Sequence, residues 1–237
     1  MPFITLFSAP KPFNDAHIAM IQRNAIKSWS LLPDVEVILL GGETGLAENA
    51  RELGVKHLPN VERSDSGAPL ISSMFQRSRE NSRSELLCIV NSDMVLMSDF
   101  VQAAEQVMKL KERFVMLSQR WDLDVTVPIE FKNGWQDSLC STVHMRGTLH
   151  RPAGSDFFLF PRACYMEFLS VGSPQGRKGK RCESVTVPPL LPGTKAANAT
   201  VVLTGRCGSR TIRKSEDLPA TRSSFGLAPR GLGERTH

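Results

Sequence analysis

Apolar positions in the first 170 residues fall into two kinds of run. Short unbroken runs at residues 3–7 (FITLF), 35–40 (VEVILL) and 86–90 (LLCIV) have the length and composition of buried strands. Between them the apolar residues recur at helical spacing. Ile18, Ile21, Ala25 and Trp29 form one face behind Asn14 or Asp15, either of which suits an N-cap. Residues 46–54 (LAENARELG) predict a short helix stopped by Gly54, and residues 55–58 (VKHL) a short strand closed by Pro59. Residues 66–80 predict a helix with Leu70, Met74 and Phe75 inward. Ser98 or Asp99 predicts the cap of another, with Val101, Ala104, Val107 and Met108 on one face. A strand follows at 113–118 (RFVMLS), then a long irregular stretch from 119 to 154 that holds Trp121 and Trp135. A further strand is predicted at 157–160 (FFLF), after which Pro161 opens a last helix.

Strands alternating with helices predict an α/β fold, a mostly parallel open sheet flanked by helices. Such sheets bind ligands at the carboxyl ends of their strands. Three loops therefore become candidates for one site: residues 8–11, 41–44 and 91–93.

Composition changes the picture in the last third of the chain. From residue 171 onward there are twelve Lys and Arg against four Asp and Glu, a net of +8, whereas the first 170 residues carry 17 against 20, a net of −3. Nine of the 17 glycines and six of the 15 prolines lie after Phe168, with Phe225 as the one aromatic there. The expected organisation is a folded domain over residues 1–170 and a basic Gly/Pro/Arg-rich tail of low order over 171–237. Within that tail VTVPPLL and ATVVLTG have the composition of short strands. A mildly acidic body argues against nucleic acid as its partner. No apolar run reaches the roughly 18 to 20 residues of a membrane span. Five widely spaced cysteines and an N-terminus without a basic leader lead to the expectation of free thiols in the cytoplasm. The sequon Asn198-Ala199-Thr200 is discounted on the same ground.

The chemistry concentrates where residues 86–90 run into Asn91-Ser92-Asp93 and apolar residues resume at once with MVLM. Asn, Ser and Asp are all turn formers, so a turn is the plain reading. The immediate return to apolar residues points further, to a carboxylate held at the ligand edge of a sheet. Asn91 and Asp93 would lie on one side of an extended chain, as oxygens suited to Mg²⁺ or Mn²⁺.

This order of elements, with a hydrophobic strand ending in an acidic triplet, resembles the nucleotide-sugar glycosyltransferases of GT-A fold, and glycosyltransferase family 2 in particular. The resemblance spans residues 2–168. It implies transfer of a sugar from a nucleoside diphosphate sugar to an unknown acceptor, assisted by a divalent metal, Mn²⁺ or Mg²⁺. The family's triplet is Asp-x-Asp. Asp93 matches the metal-binding carboxylate, while Asn91 departs from the pattern and brings no charge. The resemblance further implies nucleotide contacts from Ser8, Pro10 and Glu43. Arg77, and Arg79 beside it, are read either as diphosphate contacts or as a solvated helix face. In GSDFFLF, Asp156 is the candidate general base for the acceptor hydroxyl, with a cap or turn residue as the other reading. Asp122 and Asp124 suit the acceptor side or a plain acidic loop, and His144 and His150 read as loop histidines. Members of this fold often supply a late histidine ligand, and after His150 this chain has only His237.

Other classes fit less well. A nucleotidyltransferase would carry a glycine-rich basic loop where SAPKPFND stands. A haloacid-dehalogenase-type phosphatase would carry Asp-x-Asp followed by Gly-Thr, and a P-loop enzyme its GxxxxGK[ST]. The alternative from another class is a catalytically inactive nucleotide-sugar-fold protein that binds or scaffolds.

Overall fold

The computed structural model describes residues 1–110, 112–150 and 156–164, and the backbone of 183–187 and 200–202. The elements, in chain order, are β1 (Ile4–Ser8), α1 (Ala16–Ser30), β2 (Val35–Leu40), α2 (Leu46–Leu53), β3 (Lys56–Leu58), α3 (Ile71–Glu80), β4 (Leu86–Val90), β5 (Met94–Leu96), α4 (Ser98–Leu110), β6 (Phe114–Ser118), β7 (Trp121–Asp122), α5 (Trp135–Arg146), β8 (Thr148–Leu149), β9 (Phe157–Pro161), a 3₁₀ turn (Arg162–Cys164), β10 (Glu183–Val187) and β11 (Thr200–Val202).

Seven strands form the main sheet in the order β10-β6-β9-β4-β1-β2-β3. β1 runs parallel to β2 and β4, β2 to β3, and β6 to β10; β9 is antiparallel to both β4 and β6. All strands of this sheet except β9 therefore end on one edge, where β9 begins. The expected mostly parallel open α/β sheet is what the chain forms.

The period of two along each strand divides the core. Ile4, Leu6, Val37, Leu39, Leu86, Cys88 and Val90 pack on one face against Ala25, Ile26 and Trp29 of α1, Leu46 and Ala50 of α2, and Phe100 and Ala104 of α4. Phe7, Ile38, Leu40, Leu87 and Phe160 pack on the other face against Met74 and Phe75 of α3. This two-sided burial explains why β1, β2 and β4 read as unbroken apolar runs. A smaller sheet, β5-β11-β7-β8, packs with Ile21 of α1 and with Leu139, Cys140 and Val143 of α5.

Three expectations need adjustment. The helix expected over 66–80 begins at Ile71, because Gly67 adopts φ +82° in a turn and Pro69 bridges Arg63 in extended pairing. The stretch 119–154, read as irregular, contains β7, α5 and β8. The inward residues of α5, Leu139, Cys140 and Val143, are few and lie among Ser138, Ser141 and Thr142, so the apolar pattern is weak. After Pro161 the described chain makes only a 3₁₀ turn, and the last helix expected beyond it lies outside the described residues. Strands at 183–187 and 200–202 overlap VTVPPLL and ATVVLTG, and they join the main and smaller sheets respectively. The low order expected for the remainder of the tail lies outside the described residues. No helix among the described residues is long and apolar enough to cross a membrane.

Candidate active site

The parallel register places the three candidate loops side by side. Ser8, the last residue of β1, is 2% exposed and donates its Oγ hydrogen to the Val90 carbonyl at 2.6 Å, tying the end of β1 to the end of β4. Pro10 is buried just beyond it. Phe13 N–H donates to the Thr44 carbonyl at 2.9 Å, joining the first loop to the second.

Asn91-Ser92-Asp93 is indeed a turn. Met94 N–H donates back to the Asn91 carbonyl at 3.2 Å, and the chain re-enters the core as β5. Two buried contacts from α1 hold that strand: Trp29 Nε1–H donates to the Met94 carbonyl at 2.7 Å, and Leu96 N–H donates to Ser28 Oγ at 3.1 Å. The turn and the carboxylate site are thus one object. Because apolar strands leave and return, the turn is pulled into the sheet edge and takes the Asp93 carboxyl with it. Asp93 Oδ1 is buried and has no hydrogen-bond partner. Burial pushes the Asp93 carboxyl above the usual carboxylate range, opposed by its own backbone N–H. Asp156 adds to the rise, while the charges of Lys11 and Arg120 oppose it.

Asp156 stands at the start of β9, where the antiparallel strand begins on the edge at which β4 ends. Its backbone carbonyl accepts from Asn91 N–H at 2.9 Å. Its side chain, 10% exposed, accepts from Asn91 Nδ2 at 2.8 Å on Oδ1 and from Arg120 Nη1 at 2.7 Å on Oδ2. Asn91, the departure from a two-carboxylate triplet, therefore serves as a donor to Asp156, which a second aspartate could not do when ionised.

Arg120 organises the neighbouring part of this edge. Besides Asp156 it reaches Asp122 Oδ1 through Nε at 2.7 Å and His150 Nδ1 through Nη2 at 3.1 Å. His150 Nδ1 also lies 2.9 Å from Asp122 Oδ2. Protonated at Nδ1, the ring donates to Asp122; unprotonated there, it accepts from Arg120. Burial lowers the Arg120 pKa, but the hydrogen bonds and charges of Asp156 and Asp122 outweigh it and keep the guanidinium charged.

The remaining candidates divide. Glu43, at the end of β2, pairs through Oε1 with Arg63, while its Oε2 is buried without a partner beside Gly41. Gly41 holds φ +117°, a backbone conformation that strains any residue with a side chain, and the Glu43 carboxylate occupies the space a Cβ would take. Arg77 lines a cleft with Pro59, Val61, Glu62 and Glu80, its Nε buried without a partner, and it makes no hydrogen bond or ion pair to Asp93 or Asp156. Asp124 is exposed, and His144 bonds the Cys140 carbonyl within α5. Sequence reasoning missed Arg120 and underrated His150; it also missed Gln22 of α1, whose Oε1 accepts from Ser92 Oγ–H at 3.0 Å beside Asp93. The one available signal was position, since Arg120 follows β6 on the same edge.

Fold and site together define an α/β sheet with two carboxylates, an amide and an arginine gathered at the carboxyl ends of its central strands. No family model matches the chain, and no curated protein matches it. Among solved structures it is similar to glucosyl-3-phosphoglycerate synthase from Mycobacterium tuberculosis in complex with Mg²⁺ and uridine diphosphate. That match has 15% identity over 79% of this chain and 70% of that one, with a TM-score of 0.45. It is also similar to 4-diphosphocytidyl-2C-methyl-D-erythritol synthase from Anaerococcus prevotii (8% identity, 78% and 88% covered, TM-score 0.46). A third likeness is to a CMP:2-keto-3-deoxy-manno-octonic acid synthetase complexed with CTP (12% identity, 81% and 92% covered, TM-score 0.47).

Proposed function

We propose that this protein is a metal-assisted glycosyltransferase, moving a sugar from a nucleoside diphosphate to an acceptor hydroxyl. The observation that carries the reading is the Asp93 carboxyl, buried at the convergence of three strand ends with one oxygen unpartnered. A buried, unsatisfied carboxylate oxygen is costly unless something else completes it. Among the described residues no three His, Cys, Asp or Glu side chains form a metal cage of their own. A single carboxylate suits a hard cation that draws its other ligands from substrate phosphates and water. When bound, Mn²⁺ or Mg²⁺ would neutralise charge on a departing diphosphate.

The chain's own groups then have definite tasks. Asp93 offers the unpartnered oxygen. Glu43 Oε2 offers an acceptor to a nucleoside hydroxyl, held by the Arg63 pair on its other oxygen. Ser8 and Pro10, buried at and just beyond the end of β1, would support the nucleotide from beneath. Asp156 is the base in this reading; Oδ1 accepts from Asn91 and Oδ2 from Arg120, and each oxygen keeps a further lone pair for a proton. The side chain is only 10% exposed, and that limited access favours a second reading, a protein that binds the nucleotide without turnover.

Isothermal titration of UDP and GDP with and without Mn²⁺ tests the proposal, on wild type and Asp93→Ala. Expected is binding strengthened by Mn²⁺ in the wild type, with the Mn²⁺ effect lost in the variant. Absence of Mn²⁺-dependent nucleotide binding in the wild type rejects the donor site. Binding without release of nucleoside diphosphate across a panel of acceptors selects the non-catalytic reading.

A further inference from the structure

We propose that Lys11 is a phosphate-contacting residue of this site, presented by Gln22 on the same rim as Asp93. The inference rests on the nucleoside diphosphate reading and adds to it a residue and a support that the strand-end carboxylates do not supply.

Gln22 projects from α1 and is 2% exposed. Its Oε1 accepts from Lys11 N–H at 2.7 Å and from Ser92 Oγ–H at 3.0 Å, and its Nε2 donates to the Lys11 carbonyl at 3.0 Å. One buried amide therefore closes both backbone groups of Lys11, as a neighbouring strand would, and pins the residue next to Asp93 with the same oxygen. Both lone pairs of that oxygen are used, so the amide is held in one orientation. Pro10 and Pro12 flank Lys11 and restrict the loop further.

A backbone held this closely would be an elaborate support for a residue with no task. The Lys11 side chain is exposed and makes no ion pair or hydrogen bond within the described residues. The Gln22 oxygen that holds the Lys11 backbone also holds Ser92, the residue before Asp93, so Lys11 is fixed beside the turn. The neighbouring cation, Arg120, is already engaged by Asp156 and Asp122. Among the described residues at this rim, Lys11 is the cation without a side-chain partner. A compact ammonium with three rotatable donors suits phosphoryl oxygens, whose negative charge would bridge it to a cation held by Asp93.

The test compares UDP with uridine, both with Mn²⁺, by titration and by competition at millimolar ligand, on wild type, Lys11→Met, Lys11→Arg and Gln22→Met. The expected result is roughly tenfold weaker UDP binding for Lys11→Met, as for loss of one charge-assisted hydrogen bond. Uridine binding should be unchanged, and Lys11→Arg should retain most of the UDP affinity. Gln22→Met should weaken UDP in the same sense, and in the free protein its Lys11 amide should exchange faster with solvent. Unchanged UDP affinity in Lys11→Met overturns the assignment alone, as does an equal loss for uridine. A wild type that binds no UDP overturns the assignment together with the nucleotide reading beneath it.

Discussion

Asp93 carries a conflict between folding and function. Its carboxyl is raised by burial, so the folded protein holds its proton more tightly than the unfolded chain does. Stability from this group is fully present below the unfolded pKa, about 4, and is lost as pH rises through the folded value. An Asp93→Asn variant, which cannot ionise, should match the wild type near pH 3.5 and exceed it in stability at pH 7. Urea unfolding at the two pH values measures this, and a wild type that gains on the variant as pH rises would contradict it. The native site keeps a buried oxygen without a partner, which a bound cation would relieve. Asn91 and Asp156 show the opposite economy, since each satisfies the other.

At the scale of elements, α1 does more than cover the sheet. From one helix, Gln22 reaches Lys11 and Ser92, Ser28 reaches Leu96, and Trp29 reaches Met94. The helix thereby fixes both sides of the turn that carries Asp93. Trp29→Phe keeps most of the apolar surface but removes the buried donor to the Met94 carbonyl. It should lower stability by about 2 kcal/mol, counting a lost hydrogen bond, an orphaned carbonyl and a small void. Equilibrium unfolding checks the magnitude, and a change below about 0.5 kcal/mol would mean that β5 is held by packing alone.

At the scale of the whole molecule, the boundary expected near residue 170 meets strands drawn from beyond it. β10 pairs with β6 from Glu183↔Phe114 to Val187↔Ser118, and β11 joins β5 to β7. A chain ending at residue 170 would leave the β6 edge open and separate β5 from β7. Exposed strand edges invite association. The truncated chain is expected to unfold at lower urea and to aggregate more than the full chain, as light scattering and unfolding curves would report. Equal midpoints and equal monodispersity would support an independent domain over 1–170.

How much could be read from the sequence depends on how local the cause was. β1, β2 and β4 were legible because both faces are buried, so each strand is a plain apolar run. α1 was legible because Asp15 caps it, accepting from Ile18 N–H, and because its inward residues keep helical spacing. α5 was not legible, since Leu139, Cys140 and Val143 meet a partner surface that only the smaller sheet creates. Asp93 could be singled out by its place after a buried run. Its turn hydrogen bond, its unpartnered oxygen and the Arg120–Asp122–His150 cluster could not.

The chain by itself determined the alternation of elements, the parallel sheet that follows from it, and the edge where chemistry would gather. These rest on hydrophobic period, capping and turn residues, which act within a few positions. Tertiary structure alone decided what each polar group at that edge is free to do. Ser8 is committed to Val90, Asp156 to Asn91 and Arg120, and Glu43 in part to Arg63. Asp93 Oδ1 is buried without a partner, and the Lys11 side chain is exposed. Those commitments join residues tens of positions apart, and hydrogen bonding saturates group by group, so availability is settled only when the strands lie side by side.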